Sequence, residues 1–111
     1  MTVRTELLAA GRRTDATTVT VYTTPDAKTT ILKSVTLFNV STTATAEFVI
    51  GMDAGSFDKT VWFEQTLAAR QRVRIEEWCV MPPGCELTVR GATTAGINYW
   101  ISGAELAGVS S

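Results

Sequence analysis

The sequence predicts an all-β fold: a single antiparallel β-sandwich, of jelly-roll or immunoglobulin-like (Ig-like) type, with an N-terminal arm. Three observations predict it. Threonine, valine and alanine are abundant, and the first two are β-branched residues that favour pleated strands over helices. Short alternations of apolar and polar residues recur at close, regular spacing, each ended by a turn-forming cluster. The 111 residues are 45% hydrophobic and 19% charged, which suffices to bury one core without metal or disulfide staples. The chain is read as an arm over 1–17, a sandwich over 18–106 and a tail over 107–111.

In the arm, TELLAA is expected to form one helical turn, capped by Thr5 and stopped by Gly11. Leu7 and Leu8 want burial, so the segment is read either as a frayed end or as an arm that docks on a neighbouring subunit. TVTVYT is the first strand of the sandwich, and Pro25-Asp26-Ala27-Lys28 turns the chain. TTILKSVTLFNV is the second, with Val35 and Leu37 on one face and Thr36 and Phe38 on the other. Asn39 and the following STTAT form a turn. AEFVIGM is the third strand, with Phe48, Ile50 and Met52 opposite Glu47 and Val49, and DAGS follows as a turn.

KTVWFEQ is the fourth strand, with Val61 and Phe63 opposite Trp62 and Glu64. LAAR is a connector and RQRVRIEEW the fifth strand. In MPPG, Pro83 fixes φ and Gly84 can take a positive φ, as a type II turn requires. CELTVRG is the sixth strand, with Leu87 and Val89 inward, and TTAG turns the chain again. INYWISGAEL closes the sandwich with Ile97, Tyr99 and Ile101 on one face.

The composition argues against several functions. A formal net charge of −1 gives no general attraction to nucleic acid or to anionic membrane, so neither is expected as a partner. No apolar run approaches the roughly 20 residues that span a bilayer, and LLAA is too short for the core of a secretion signal. Synthesis and folding in a cytosol are therefore expected. Histidine is absent, which removes the commonest general base and the Ser-His and Cys-His nucleophile pairs. Glu76 and Glu77 are adjacent, so on a strand they point to opposite faces. Asp53 and Asp58 flank Gly55 without the spacing of a calcium loop and read as polar turn residues. Cys79 and Cys85 bracket a tight turn; they read as two free thiols in a reducing cytosol, or as a disulfide if the turn brings them within bonding range. A zinc site would need further ligands. No enzymatic activity, metal or cofactor is expected.

Two patterns point to contacts instead. Arg70, Arg72, Arg74 and Glu76 fall on one strand face, opposite Val73 and Ile75. That stripe is either a solvated sheet face or a surface for an acidic partner, since arginine forms bidentate bonds to carboxylates. Trp62, Trp78 and Trp100 occupy faces with polar neighbours. They are read as subunit contacts, unless loops cover that face or a bulge shifts the parity. The candidate subunit-contact residues are therefore Leu7, Leu8, Trp62, Arg70, Arg72, Arg74 and Trp100. An alternative use of exposed tryptophans is stacking on sugar rings, in a module that binds carbohydrate or a host surface.

The order of these segments resembles a known family. VYTTPDAKTTILKSVTLFNVSTTATAEFVI is similar to a segment of many small virion proteins of tailed bacteriophages: a Tyr-Thr-x-Pro turn, a small residue and lysine, an apolar strand, then asparagine and a Ser/Thr-rich turn. LAARQRVRIEEWCVMPPGCELTVRGATTAGINYWISGAEL resembles the later half, with its proline-glycine turn and a closing strand ending in Ser-Gly-x-Glu. The resemblance runs from about Leu7 to Leu106. LAARQ stands where a proline-glycine turn is common, and the two cysteines are not typical. The resemblance implies a non-enzymatic structural protein of the particle, either a capsid decoration (cement) protein on the outer shell or a minor tail or fibre-associated protein. It implies copies of the chain itself, as a trimer, and the major capsid or tail protein as partners. It also implies a place in the virion after assembly in the host bacterial cytoplasm, and it brings no catalytic residue and no cofactor.

Overall fold

The computed structural model describes residues 5–53 and 60–107. Among them the chain forms nine strands: β1 (Glu6–Arg13), β2 (Val19–Thr23), β3 (Lys28–Asn39), β4 (Ala46–Asp53), β5 (Thr60–Leu67), β6 (Arg72–Ile75), β7 (Cys79–Met81), β8 (Glu86–Arg90) and β9 (Ile97–Ala107). The larger sheet runs β1-β9-β3-β6, with β7 also pairing β3, and the smaller runs β2-β8-β4-β5. Every pairing is antiparallel. β6 and β7 lie end to end against β3, so together they are one edge strand interrupted at 76–78. With that pair counted once, eight strands divide four and four between two sheets in the orders β1-β9-β3-β6 and β2-β8-β4-β5, which is the jelly-roll arrangement. It is the first of the two sandwich types expected. The turn expected at DAGS beyond Asp53, with Gly55 and Asp58, lies outside the described residues, as do residues 1–4 and 108–111.

The two sheets share a core of Leu32, Val35, Leu37, Phe48, Ile50, Leu67, Met81, Leu87, Val89, Ile97 and Ile101, all fully buried. Side chains of this size contribute about 1.5–3 kcal/mol each when removed from water. The residues expected to share a face, Val35 with Leu37, Phe48 with Ile50 and Ile97 with Ile101, lie in it, as do Leu87 and Val89, both expected inward. Val73 and Ile75 are half-buried and pack on its margin.

Two expectations need correction. The first is the helical turn in the arm. Glu6–Arg13 is a strand that pairs with β9 along Glu6 to Gly103 and Arg13 to Ile97. Leu8 sits at a register shift and packs against the core. A single helical turn is costly to nucleate, whereas an available sheet edge supplies both hydrogen bonds and a place for Leu8. Those residues of the expected arm thus belong to the sandwich, and β9 carries it to Ala107. The second correction concerns β5. Its register with β4 shifts between Ile50, which faces Phe63, and Gly51, which faces Val61. Trp62 is the extra residue of this bulge, so parity breaks there. Val61 is left 56% exposed, while Trp62 and Phe63 both pack against the core.

The turns carry their own chemistry. The Cys85 amide donates to the Pro82 carbonyl at 3.0 Å, and Gly84 has φ of 80°, giving the expected type II turn. Lys28 closes the Pro25 turn at 3.2 Å, with Ala27 in the left-handed region at φ 62°. Asn39 is fully buried yet satisfied: its Nδ2 donates to the Ala44 and Leu67 carbonyls, and its Oδ1 accepts from the Ser41 amide. It pins β3, β5 and the intervening turn together. The Tyr22 hydroxyl donates to Glu105 and accepts from the Thr30 hydroxyl at 2.7 Å, and Lys28 pairs with Glu105 at 3.5 Å. Burial, reinforced by the Glu105 hydrogen bond, pushes the Tyr22 phenol up to about 12. Cys79 and Cys85 are free thiols, and burial raises both above the ordinary thiol range.

Candidate functional site: an arginine and aromatic sheet face

The outer face of the larger sheet is organised in two cross-strand rows. One row is Arg12, Asn98, Phe38 and Arg72, taken from β1, β9, β3 and β6. The next is Ala10, Trp100, Thr36 and Arg74. Alternation puts them outward, because Leu37 and Tyr99 between them turn inward, Leu37 fully buried and Tyr99 packed against the core. Trp100 stands between the small side chains of Ala10 and Thr36, and is 55% exposed. Phe38 and Trp100, with Ala10, Gly11, Thr36 and Asn98, line a shallow groove of about 310 Å³.

Arginines surround this groove. The Arg70 guanidinium lies 4.9 Å from the centre of the Phe38 ring and that of Arg72 lies 5.9 Å from it. Stacking on the ring holds a guanidinium in place while leaving N–H groups free to bind an anion. Arg12 Nε donates to Asn98 Oδ1 at 2.7 Å. Arg74 is the exception, paired with Glu76 at 2.8 Å. Among the described residues no carboxylate forms an ion pair with Arg12, Arg70 or Arg72. The arrangement can recognise a carboxylate or another anion beside an apolar or planar group.

The backbone at Arg70 is unusual. The turn Ala68–Gln71 is closed by the Gln71 amide on the Ala68 carbonyl at 3.0 Å, and Arg70 occupies the left-handed region at φ 61°. Glycine adopts that conformation freely; a residue with a Cβ does so at a cost of about 1–2 kcal/mol. An arginine kept there, with its side chain returned over Phe38, places strain beside the groove.

Arg72, Arg74 and Trp100 stand outward as the sequence predicts. Arg70 precedes the strand rather than lying on it, and reaches the same face through its turn. Leu7 is exposed at the sheet edge, whereas Leu8 and Trp62 are half-buried and pack against the core. Phe38, Arg12 and Asn98 were missed. The parity of TLFN already set Phe38 beside Thr36 and opposite Leu37, but reading the leader as an arm detached Arg12 from the sheet. Trp78 and Val80 are also exposed, and Lys33 lies 5.0 Å over the Trp78 ring. Among the described residues no cluster of three or more His, Cys, Asp and Glu can hold a metal ion, and no helix is long and apolar enough to cross a membrane.

No family model and no curated protein matches the sequence. The fold is similar to solved structures. A chain of the acid-stable capsid of Helicobacter pylori bacteriophage KHP30 has 10% identity and a TM-score of 0.64, over 92% of each chain. A protein of the disulfide-linked Bacillus endospore appendages has 14% identity and a TM-score of 0.59, over 97% of this chain and 90% of the other. The tumour necrosis factor Eiger of S. frugiperda has 10% identity and a TM-score of 0.59, over 98% and 92%. At such identities the likeness is one of fold.

Proposed function

We propose that this chain is a non-enzymatic structural component of a tailed-bacteriophage particle, a capsid decoration protein that docks on the outer shell through the outer face of the larger sheet. The observation that carries the reading is the pair of arginines bracketing Phe38 beside the exposed Trp100, without carboxylate partners among the described residues. Such a face suits a flat acidic surface: aromatic area supplies burial and arginine forks supply pairing and register. The resemblance of the sequence to phage virion proteins and the fold it shares with a phage capsid chain support the setting. In this role the chain acts as copies of itself together with the major capsid protein. Particles assembled without it should take up the purified chain, and an antibody against it should label their heads by electron microscopy. Labelled tails would move the protein to the tail; no uptake by either would end the reading.

A second reading is favoured by one feature, the exposed indole of Trp100 over a groove of about 310 Å³. Sugar rings stack on such a surface, with arginine bonding a sugar carboxylate. A glycan array that shows hits lost on Trp100→Ala would support it over the shell.

A further inference from the structure

The larger sheet ends in two edges, the interrupted β6–β7 pair and the eight-residue β1. Among the described residues the outer edge of β1 forms no strand pairing, and its backbone makes no hydrogen bond beyond those to β9. Edges of this length are normally blunted by proline, lysine or a covering loop. ELLAAGRR has no proline and no lysine; its charges stand only at its two ends, Glu6 and Arg12 with Arg13, and its bulge is confined to the Leu7–Ala9 end.

Read antiparallel against itself, the strand is self-complementary. Taking the register that β9 imposes, with the bulge counted as one position, a crossing at Ala10 sets Ala10 against its own copy. Ala9 then faces Gly11, the exposed Leu7 faces the aliphatic stem of Arg12, and Glu6 faces Arg13. Small residues sit where two backbones approach most closely, and at both ends Glu6 meets Arg13, which within its own chain is also held by Asp15 at 2.7 Å. Each pair also keeps to one face of the sheet, because Leu7, Ala10 and Arg12 share the outer side and Glu6, Ala9, Gly11 and Arg13 the inner.

We infer that β1 is the self-association edge of this protein, pairing with β1 of a second copy across a two-fold axis at Ala10. The contact is isologous and therefore closes, leaving no free β1 edge and building no fibre. The axis runs perpendicular to the sheet, so both arginine and aromatic faces come out on the same side. This inference goes beyond the proposed function and stands on different residues. It gives a two-fold pair in place of the trimer that the sequence resemblance implies.

Mass measurement in solution tests it. The chain should run at twice its 12.0 kDa mass. Glu6→Arg sets arginine against Arg13 at both ends of the seam and should weaken pairing roughly tenfold, since like charges directly opposite repel. Ala10→Cys should form an inter-chain disulfide on mild oxidation, because opposed strand positions lie about 4.5–5.5 Å apart, within bonding range. Thr20→Cys, on the other sheet, should not. A mass of one or three chains, pairing indifferent to Glu6→Arg, or a cysteine at position 10 that cross-links no better than one at 20 would overturn the inference. Failure here leaves particle docking intact, and failure to dock leaves the mass unchanged.

Discussion

The two sheets bury the same kind of residue on their inner faces and differ on their outer ones. Outside the larger sheet stand Phe38, Trp100 and two arginines, Arg70 and Arg72, that lie over the Phe38 ring and form no ion pair among the described residues. Outside the smaller, Thr20, Thr88 and Gly51 lie side by side across β2, β8 and β4, and Arg90 is matched by Glu47 at 3.5 Å. Its depression near Gly51 and Val61 holds only about 110 Å³. Core burial constrains the inward positions of both sheets equally, so it cannot be the cause of this asymmetry. What differs is the chemistry each outer face presents, hydroxyls and a matched ion pair on the smaller and arginines over an aromatic ring on the larger, and the proposed function gives that difference a reason.

The largest expected effect separates inside from outside. Phe48→Ala, in the centre of the core, should lower stability by about 3–5 kcal/mol. Trp100→Ala, half exposed, should change it by about 0.5 kcal/mol or less in chemical unfolding, while weakening particle binding. Next, Arg70→Ala combined with Arg72→Ala should cost about a hundredfold in particle affinity, near 2.7 kcal/mol. Val61→Ser on the smaller sheet should leave affinity unchanged in the same assay. Equal losses from both sheets would erase the comparison.

A smaller effect divides strain from function. Arg70→Gly removes the cost of the left-handed backbone and the contact to Phe38 together. Stability should hold or rise within about 1 kcal/mol, while particle affinity falls. A destabilised variant would mean that Arg70 serves the turn and not a partner. The smallest effect expected on particle binding, none, comes from a control at Tyr22, which faces Thr30 and Glu105 and not the arginine and aromatic groove. The Tyr22 phenol is held up to about 12, above the ordinary value near 10. The folded state therefore keeps its proton more firmly than the unfolded chain. That contribution is complete below about pH 10 and is lost as pH rises through about 12. Tyr22→Phe should flatten the alkaline loss of stability without altering particle binding.

Much of this fold was legible because alternation and turn chemistry act locally. Pro83 with Gly84 dictates its turn, and VTLFN dictates which side chains of β3 enter the core. The parts that were not legible depend on contacts between distant segments. Residues 6–13 have no pattern that announces a strand; they become one because β9 offers an edge, nearly the whole chain away. Trp62 is turned inward by a bulge whose partner lies on β4, and no sequence spacing marks it. Of the contact face, the arginines and Trp100 were visible as types. Their gathering around Phe38 was not, because Arg12, Phe38, Arg72 and Trp100 come from four strands.

The account turns on which outer surface is covered when the chain sits on a particle. Oxidative footprinting of free and particle-bound protein reads this directly. Trp100 and Phe38 should lose reactivity on binding, and Val61 should keep it. Protection of Val61 with Trp100 still reactive would contradict the account.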